Sequence, residues 1–170
     1  EKRARFARKI LDLNGRHDIA SYAGEQTGCV EFYAEHFING SEKIEYDYLQ
    51  AIKIILDDNE RVVYLAIEGL SNVEQFIKAY PEYQEKLVLV HMGLSLTGYD
   101  EAYITGGTNM ESNSLAAKYT YENIKSLKVV GSHTTINDAL RVHPDTSVYK
   151  KIENSSHPAH KLLLNHLHEF

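Results

Sequence analysis

The stretch LVLVHMGLSL, residues 87–96, decides the fold. It opens on four aliphatics, Leu87 to Val90, and turns polar and glycine-containing at His91-Met92-Gly93. A short continuous apolar run closed by glycine is the pattern of a strand inside a parallel sheet. Such a strand ends at the rim where α/β sheets take their ligands, so His91 and its neighbours are the first candidates for function.

The elements on either side fit the same plan. RVVYLAI, residues 61–67, is a second β-branched strand of buried type, and LKVVG, residues 127–131, is another. Between the first two lies SNVE, residues 71–74, a capping-box pattern in which Ser71 and Glu74 exchange side-chain bonds with each other's amides. It predicts a helix through Tyr80, stopped by Pro81. NSLAAKYTYENIKS, residues 113–126, predicts a helix capped by Asn113. Upstream, ARFARKILDLNG, residues 4–15, predicts a helix with Phe6, Ile10, Leu11 and Leu13 on its apolar face, and DIASYAG, residues 18–24, a short strand. YDYLQAIKIILDDN, residues 46–59, predicts a helix burying Leu49, Ile52, Ile55 and Leu56. The tail is helical in pieces, interrupted at Pro144 and Pro158. Alternating strands and helices give an α/β fold: a mostly parallel sheet with helices on both faces, in a single domain over residues 1–170.

Composition narrows the function classes. The chain has 170 residues, 43% hydrophobic and 25% charged, which places it with globular proteins. A net charge of −6 argues against nucleic-acid binding, which needs clustered Lys and Arg; the basic EKRARFARK, residues 1–9, reads as a solvated helix face. No apolar run reaches the length of a membrane span, and no signal-peptide pattern is present, so a cytoplasmic location is the default. The single cysteine, Cys29, has no internal partner and fits a reducing compartment. His157 and His160 sit three apart with Pro158 between them, a poor zinc pair. Ser95 lies outside any Gly-x-Ser-x-Gly elbow, and TGG, residues 105–107, lacks the ending of a phosphate-binding loop.

Four segments together resemble the inosine/uridine-preferring nucleoside hydrolases. AIEGLSNVEQFIKAYPEYQEKL, residues 66–87, is similar to the family's Gly-Pro-Leu-Thr-Asn turn and its helix, and LVLVHMG, residues 87–93, to the strand ending Val-Met-Gly-Gly. TNMESNSLAA, residues 108–117, is similar to the segment Glu-Phe-Asn-(three residues)-Asp-Pro-Glu-Ala-Ala, and LKVVGSHTT, residues 127–135, to a strand ending in a polar turn. The likeness runs most closely from Val62 to Gly131, with flanking pieces in the expected order. It implies a Rossmann-like nucleoside hydrolase fold and an activity that splits ribonucleosides into ribose and base. It also implies a Ca²⁺ cofactor held by an Asp-x-Asp-x-x-x-Asp-Asp cluster, a strand-end backbone carbonyl and a late aspartate.

Carried over position by position, the resemblance makes Asn109, Met92 and Asn72 substrate-binding candidates and Ile67 the source of the calcium-binding carbonyl. His133, at a polar strand end, is a further candidate. Asn72 and Asn109 serve equally well to satisfy loop backbone, and Met92 serves as core. His91 precedes Met92, so strand alternation turns it to the other face as a packing residue.

The aspartate cluster itself is absent, and Asp57-Asp58 suits a solvated turn. The family's ribose-binding glutamate aligns with Gly107, its aspartate with Asn113, and its second strand-end glycine with Leu94. The expectation is therefore a truncated fold. The family's first strand would precede residue 1, its last aspartate segment would follow residue 170, and this chain alone would be inactive. The alternative is a non-catalytic domain of the same ancestry. It would bind nucleoside, sugar or protein, with a homo-oligomer protecting an exposed sheet edge.

Overall fold

The computed structural model describes residues 1–26, 32–96, 104, 105, 107–135 and 137–169. Cys29 lies outside them. In chain order the elements are α1 (Lys2–Leu13), α2 (Tyr48–Asp57), β1 (Val62–Ala66), α3 (Ser71–Ala79), β2 (Leu87–Met92), β3 (Ser95–Leu96) and β4 (Ile104–Thr105). They continue with α4 (Gly107–Glu111), α5 (Ser114–Asn123), β5 (Ser126–Val130), α6 (Ser132–Thr135), α7 (Ser147–Glu153) and α8 (Pro158–Glu169). These elements form two compact units: one of Glu25–Cys29 and Asp47–Asn137, the other of Glu1–Gly24, Val30–Tyr46 and Asp138–Phe170.

The first of these units is α/β, built on a parallel sheet in the order β1-β2-β5. Val62 lies beside Leu87 and Ala66 beside His91 across one ladder, and Leu89 beside Leu127 across the other. Parallel pairing keeps matched residues on one face. Val62, Tyr64, Leu87, Leu89 and Leu127 therefore share a face and pack with Leu56 of α2, Phe76 and Ile77 of α3 and Ala117 of α5. Val63, Leu65 and Ile67 alternate to the opposite side, where they are 59%, 66% and 72% exposed. β3 and β4 add a short antiparallel ladder.

Local signals explain several helix ends. Asp47 caps α2 by accepting from the Gln50 amide at 3.1 Å, and Asn113 caps α5 by accepting from the Ala116 amide at 3.0 Å. Pro81 opens a 3₁₀ turn directly after α3. The Ser71–Glu74 capping box does not form. Helix α3 starts one residue early, with Leu70 as its cap and the Glu74 amide on the Leu70 carbonyl. The Ser71 hydroxyl is taken by Asn113 Nδ2 at 2.9 Å, and the Glu74 carboxylate by Lys78 at 2.7 Å. Ile55, predicted on the buried face of α2, is 51% exposed, because the core side of that helix is Leu49, Ile52 and Leu56.

The second unit holds α1, α7 and α8. Its most informative residue is Arg8, buried in α1, whose guanidinium donates to the carbonyls of Ile19 and Arg16 and pairs with Asp12 at 2.9 Å. These contacts meet the two Nη atoms, while Nε is buried without a partner, and the two carbonyls tie Arg8 to the turn after α1. The strand predicted for residues 18–24 is only a single parallel bridge, Tyr22 to Glu45. Pro158 starts α8 instead of interrupting a helix, since proline at a first helical position loses no bond.

Candidate functional site

The carboxyl ends of β1, β2 and β5 open onto the turns that begin at Ile67, Gly93 and Gly131. Close backbone approach shapes the first two. A Cβ on Gly69 would overlap the Ser112 hydroxyl oxygen, and a Cβ on Gly93 would overlap the His91 ring. Leu94 has φ +70°, the left-handed region that favours glycine, so the backbone there keeps a turn its side chain resists.

Asn109, half-buried on α4, sits at the centre of this rim. Its Nδ2 donates to the Met92 carbonyl at 2.6 Å and to the Ile67 carbonyl at 3.2 Å. Two carbonyl acceptors fix the amide orientation, because the flipped oxygen would meet oxygen. Both Nδ2 hydrogens are then used, so any further contact of this amide falls to Oδ1, an acceptor. Three of the residues predicted from the resemblance, Ile67, Met92 and Asn109, are thus brought into one cluster.

Asn72 is placed differently. Its Oδ1 accepts from the Glu25 amide at 2.7 Å, while the Glu25 carboxylate accepts from the Tyr48 hydroxyl at 2.9 Å. Burial first, and then that carboxylate, push the Tyr48 pKa well above the usual phenol range. Tyr48 and Glu25 carry no sequence signal for this role, since the contact spans the chain. His133 lies on α6, but its side chain is outside the described residues.

His91 is fully buried. Its Nδ1 lies 2.8 Å from the Tyr121 hydroxyl, with the rings edge to face. Burial pulls its pKa below the usual histidine range, with the Glu68 backbone offsetting part of that. Asp57 pairs with Lys53 at 2.6 Å and meets the Tyr83 hydroxyl, contacts that hold its carboxyl below the usual range.

The donor set does not fit the calcium that the resemblance implies. A calcium site needs six to eight oxygens, several of them carboxylate. Among the described residues no three His, Cys, Asp or Glu side chains converge on a metal position. The Ile67 carbonyl already accepts from the Asn109 amide at 3.2 Å, which places a partial positive charge where a cation would stand.

The other unit carries a cavity of about 570 Å³ lined by Arg8, Asp12, His17, Asp18 and Glu45 among others. Several of its charged groups are paired: Asp12 meets Arg8 and His17, and Asp18 meets Arg16. Among the described residues no helix is long and apolar enough to cross a membrane.

No family model and no curated protein sequence matches the chain. Solved structures do. The type III effector protein XopQ, complexed with adenosine diphosphate ribose, is similar at TM-score 0.76 and 15% identity, over 96% of this chain and 51% of that one. The effector protein XOO4466 is similar at TM-score 0.75 and 17% identity, over 96% and 51%. An inosine-uridine preferring nucleoside hydrolase from Bacillus anthracis is similar at TM-score 0.60 and 20% identity, over 79% and 52%. The chain spans about half the length of each of these structures, and what it shares with them is the nucleoside hydrolase fold.

Proposed function

We propose that this chain is a ribosyl-binding domain of the nucleoside hydrolase fold. It takes a nucleoside, or the ribose end of a nucleotide sugar, at the strand-end rim and does not cleave it unaided. The observation that carries this is the cluster at Asn109, whose amide gathers the carbonyls of Ile67 and Met92. Such a cluster of acceptors suits vicinal hydroxyls, which are donors. The ADP-ribose bound by XopQ supports a ligand of this class. Cleavage of the glycosidic bond builds positive charge on the anomeric carbon, and carboxylates are what stabilise it. Gly107 supplies none where the resemblance expects a glutamate.

A second reading follows from the chain's spanning half of its structural neighbours. A longer polypeptide containing this domain would then hydrolyse the N-glycosidic bond. Calorimetric titration with ADP-ribose, and separately with free ribose, tests the binding reading. Saturable heat is expected from at least one of the two, and no heat from either contradicts it. Release of p-nitrophenol from its riboside is expected to stay at the buffer blank, and calcium-dependent release overturns the inactive assignment.

A further inference from the structure

We infer that the strand-end rim is a metal-independent site, in which the Asn109 amide takes the place a cation would hold. This rests on the ribosyl-binding reading for its ligand, but the claim about the cation stands on geometry alone. A hard cation at the rim would draw the Ile67 carbonyl oxygen into its shell, with carboxylates nearby to balance its charge. Here that carbonyl lies 3.2 Å from Asn109 Nδ2, and the Met92 carbonyl lies 2.6 Å from the same nitrogen. One neutral amide therefore satisfies two strand-end carbonyls of β1 and β2, which otherwise would need a cation or water. The partial positive charge of the N–H groups does locally what the ion would do, and it binds the two strand ends together. With both Nδ2 hydrogens engaged, the groups this cluster can offer a ligand are acceptors: Asn109 Oδ1 and the second lone pairs of the two carbonyls. A neutral polyhydroxyl group supplies donors to all of them without a metal bridge.

Asn109→Asp turns the logic around. A carboxylate oxygen then faces two carbonyl oxygens, a repulsive set that a divalent cation would relieve. The experiment measures thermal unfolding of the wild-type chain and of N109D, in chelator and in excess CaCl₂, with calorimetric Ca²⁺ titration of each. The wild type is expected to show no calcium-dependent Tm and no saturable calcium heat. N109D is expected to unfold at lower temperature in chelator and to regain part of the loss with calcium, by mass action on the folded state. Saturable calcium binding by the wild type overturns the inference, whether or not any sugar binds. So does an N109D whose lowered Tm ignores calcium. Failure of ADP-ribose and ribose to bind a calcium-indifferent wild type overturns the ribosyl reading instead, which keeps the two failures distinct.

Discussion

His91 of β2 and Tyr121 of α5 are locked edge to face, with the imidazole Nδ1 2.8 Å from the phenol oxygen and the histidine wholly out of water. The same ring blocks any side chain at Gly93. One buried histidine thus joins the sheet to its covering helix and sets the shape of the strand-end turn.

Burial lowers the His91 pKa, so the folded chain binds its proton less readily than the unfolded chain. Stability then rises with pH where only the unfolded state is protonated. The contribution is complete above the unfolded histidine value of about 6.5 and declines as pH falls from there toward the lowered folded value. Urea midpoints measured across that window should fall with acidification in the wild type. H91L should flatten the slope, whatever its absolute stability; an unchanged slope contradicts the assignment.

Gly93→Ala places a methyl group on the His91 ring and should cost about 1–3 kcal/mol, the usual range for overpacking. Gly69→Ala meets a hydroxyl that can be removed, so S112A should recover most of its cost in a double-mutant cycle. Additive losses in chemical denaturation would show that Ser112 is not the obstacle.

Leu94 should be improved by glycine. Relief of its left-handed backbone is worth about 1–2 kcal/mol, against a loss of about 0.5–1 kcal/mol from glycine's greater unfolded freedom. L94G is expected to match or exceed wild-type stability in urea. A loss of the size typical for leucine truncation would place the dominant energy in the side chain's packing.

Asn113 makes two separable contacts, capping α5 through Oδ1 and tying α3 through Nδ2 to Ser71. N113A should cost about 1–2 kcal/mol. N113D keeps the capping oxygen and adds charge at a helix N-terminus, so it should retain most of the stability. Equal losses in N113A and N113D would assign the energy to the Ser71 contact.

The parts of this fold that sequence revealed are those set by neighbours in the chain. The run Leu87 to Val90 is apolar without a break and forms the central strand, and Asn113 stands directly before its helix. Even His91 could be turned inward by counting from Met92. What stayed hidden depends on distant partners. Arg8 looks like any basic residue of an exposed face until the carbonyls of Arg16 and Ile19 arrive to satisfy it. Ser71 and Glu74 have capping-box spacing, but Asn113 and Lys78 compete successfully for their side chains. At the site, resemblance marked Ile67, Met92 and Asn109 separately. That the amide of one holds the carbonyls of the other two emerges only in three dimensions, because it needs three chain segments at once.

Ribosyl binding at the Asn109 rim is tested most directly by following backbone and side-chain amide resonances during titration with ADP-ribose in the presence of chelator. The account predicts saturable shifts of the Asn109 side-chain NH₂ and of the Glu68, Gly93 and Leu94 amides, all lost in N109A. Shifts confined to the Arg8–Asp12–His17 cavity, or no shifts at all, would contradict it.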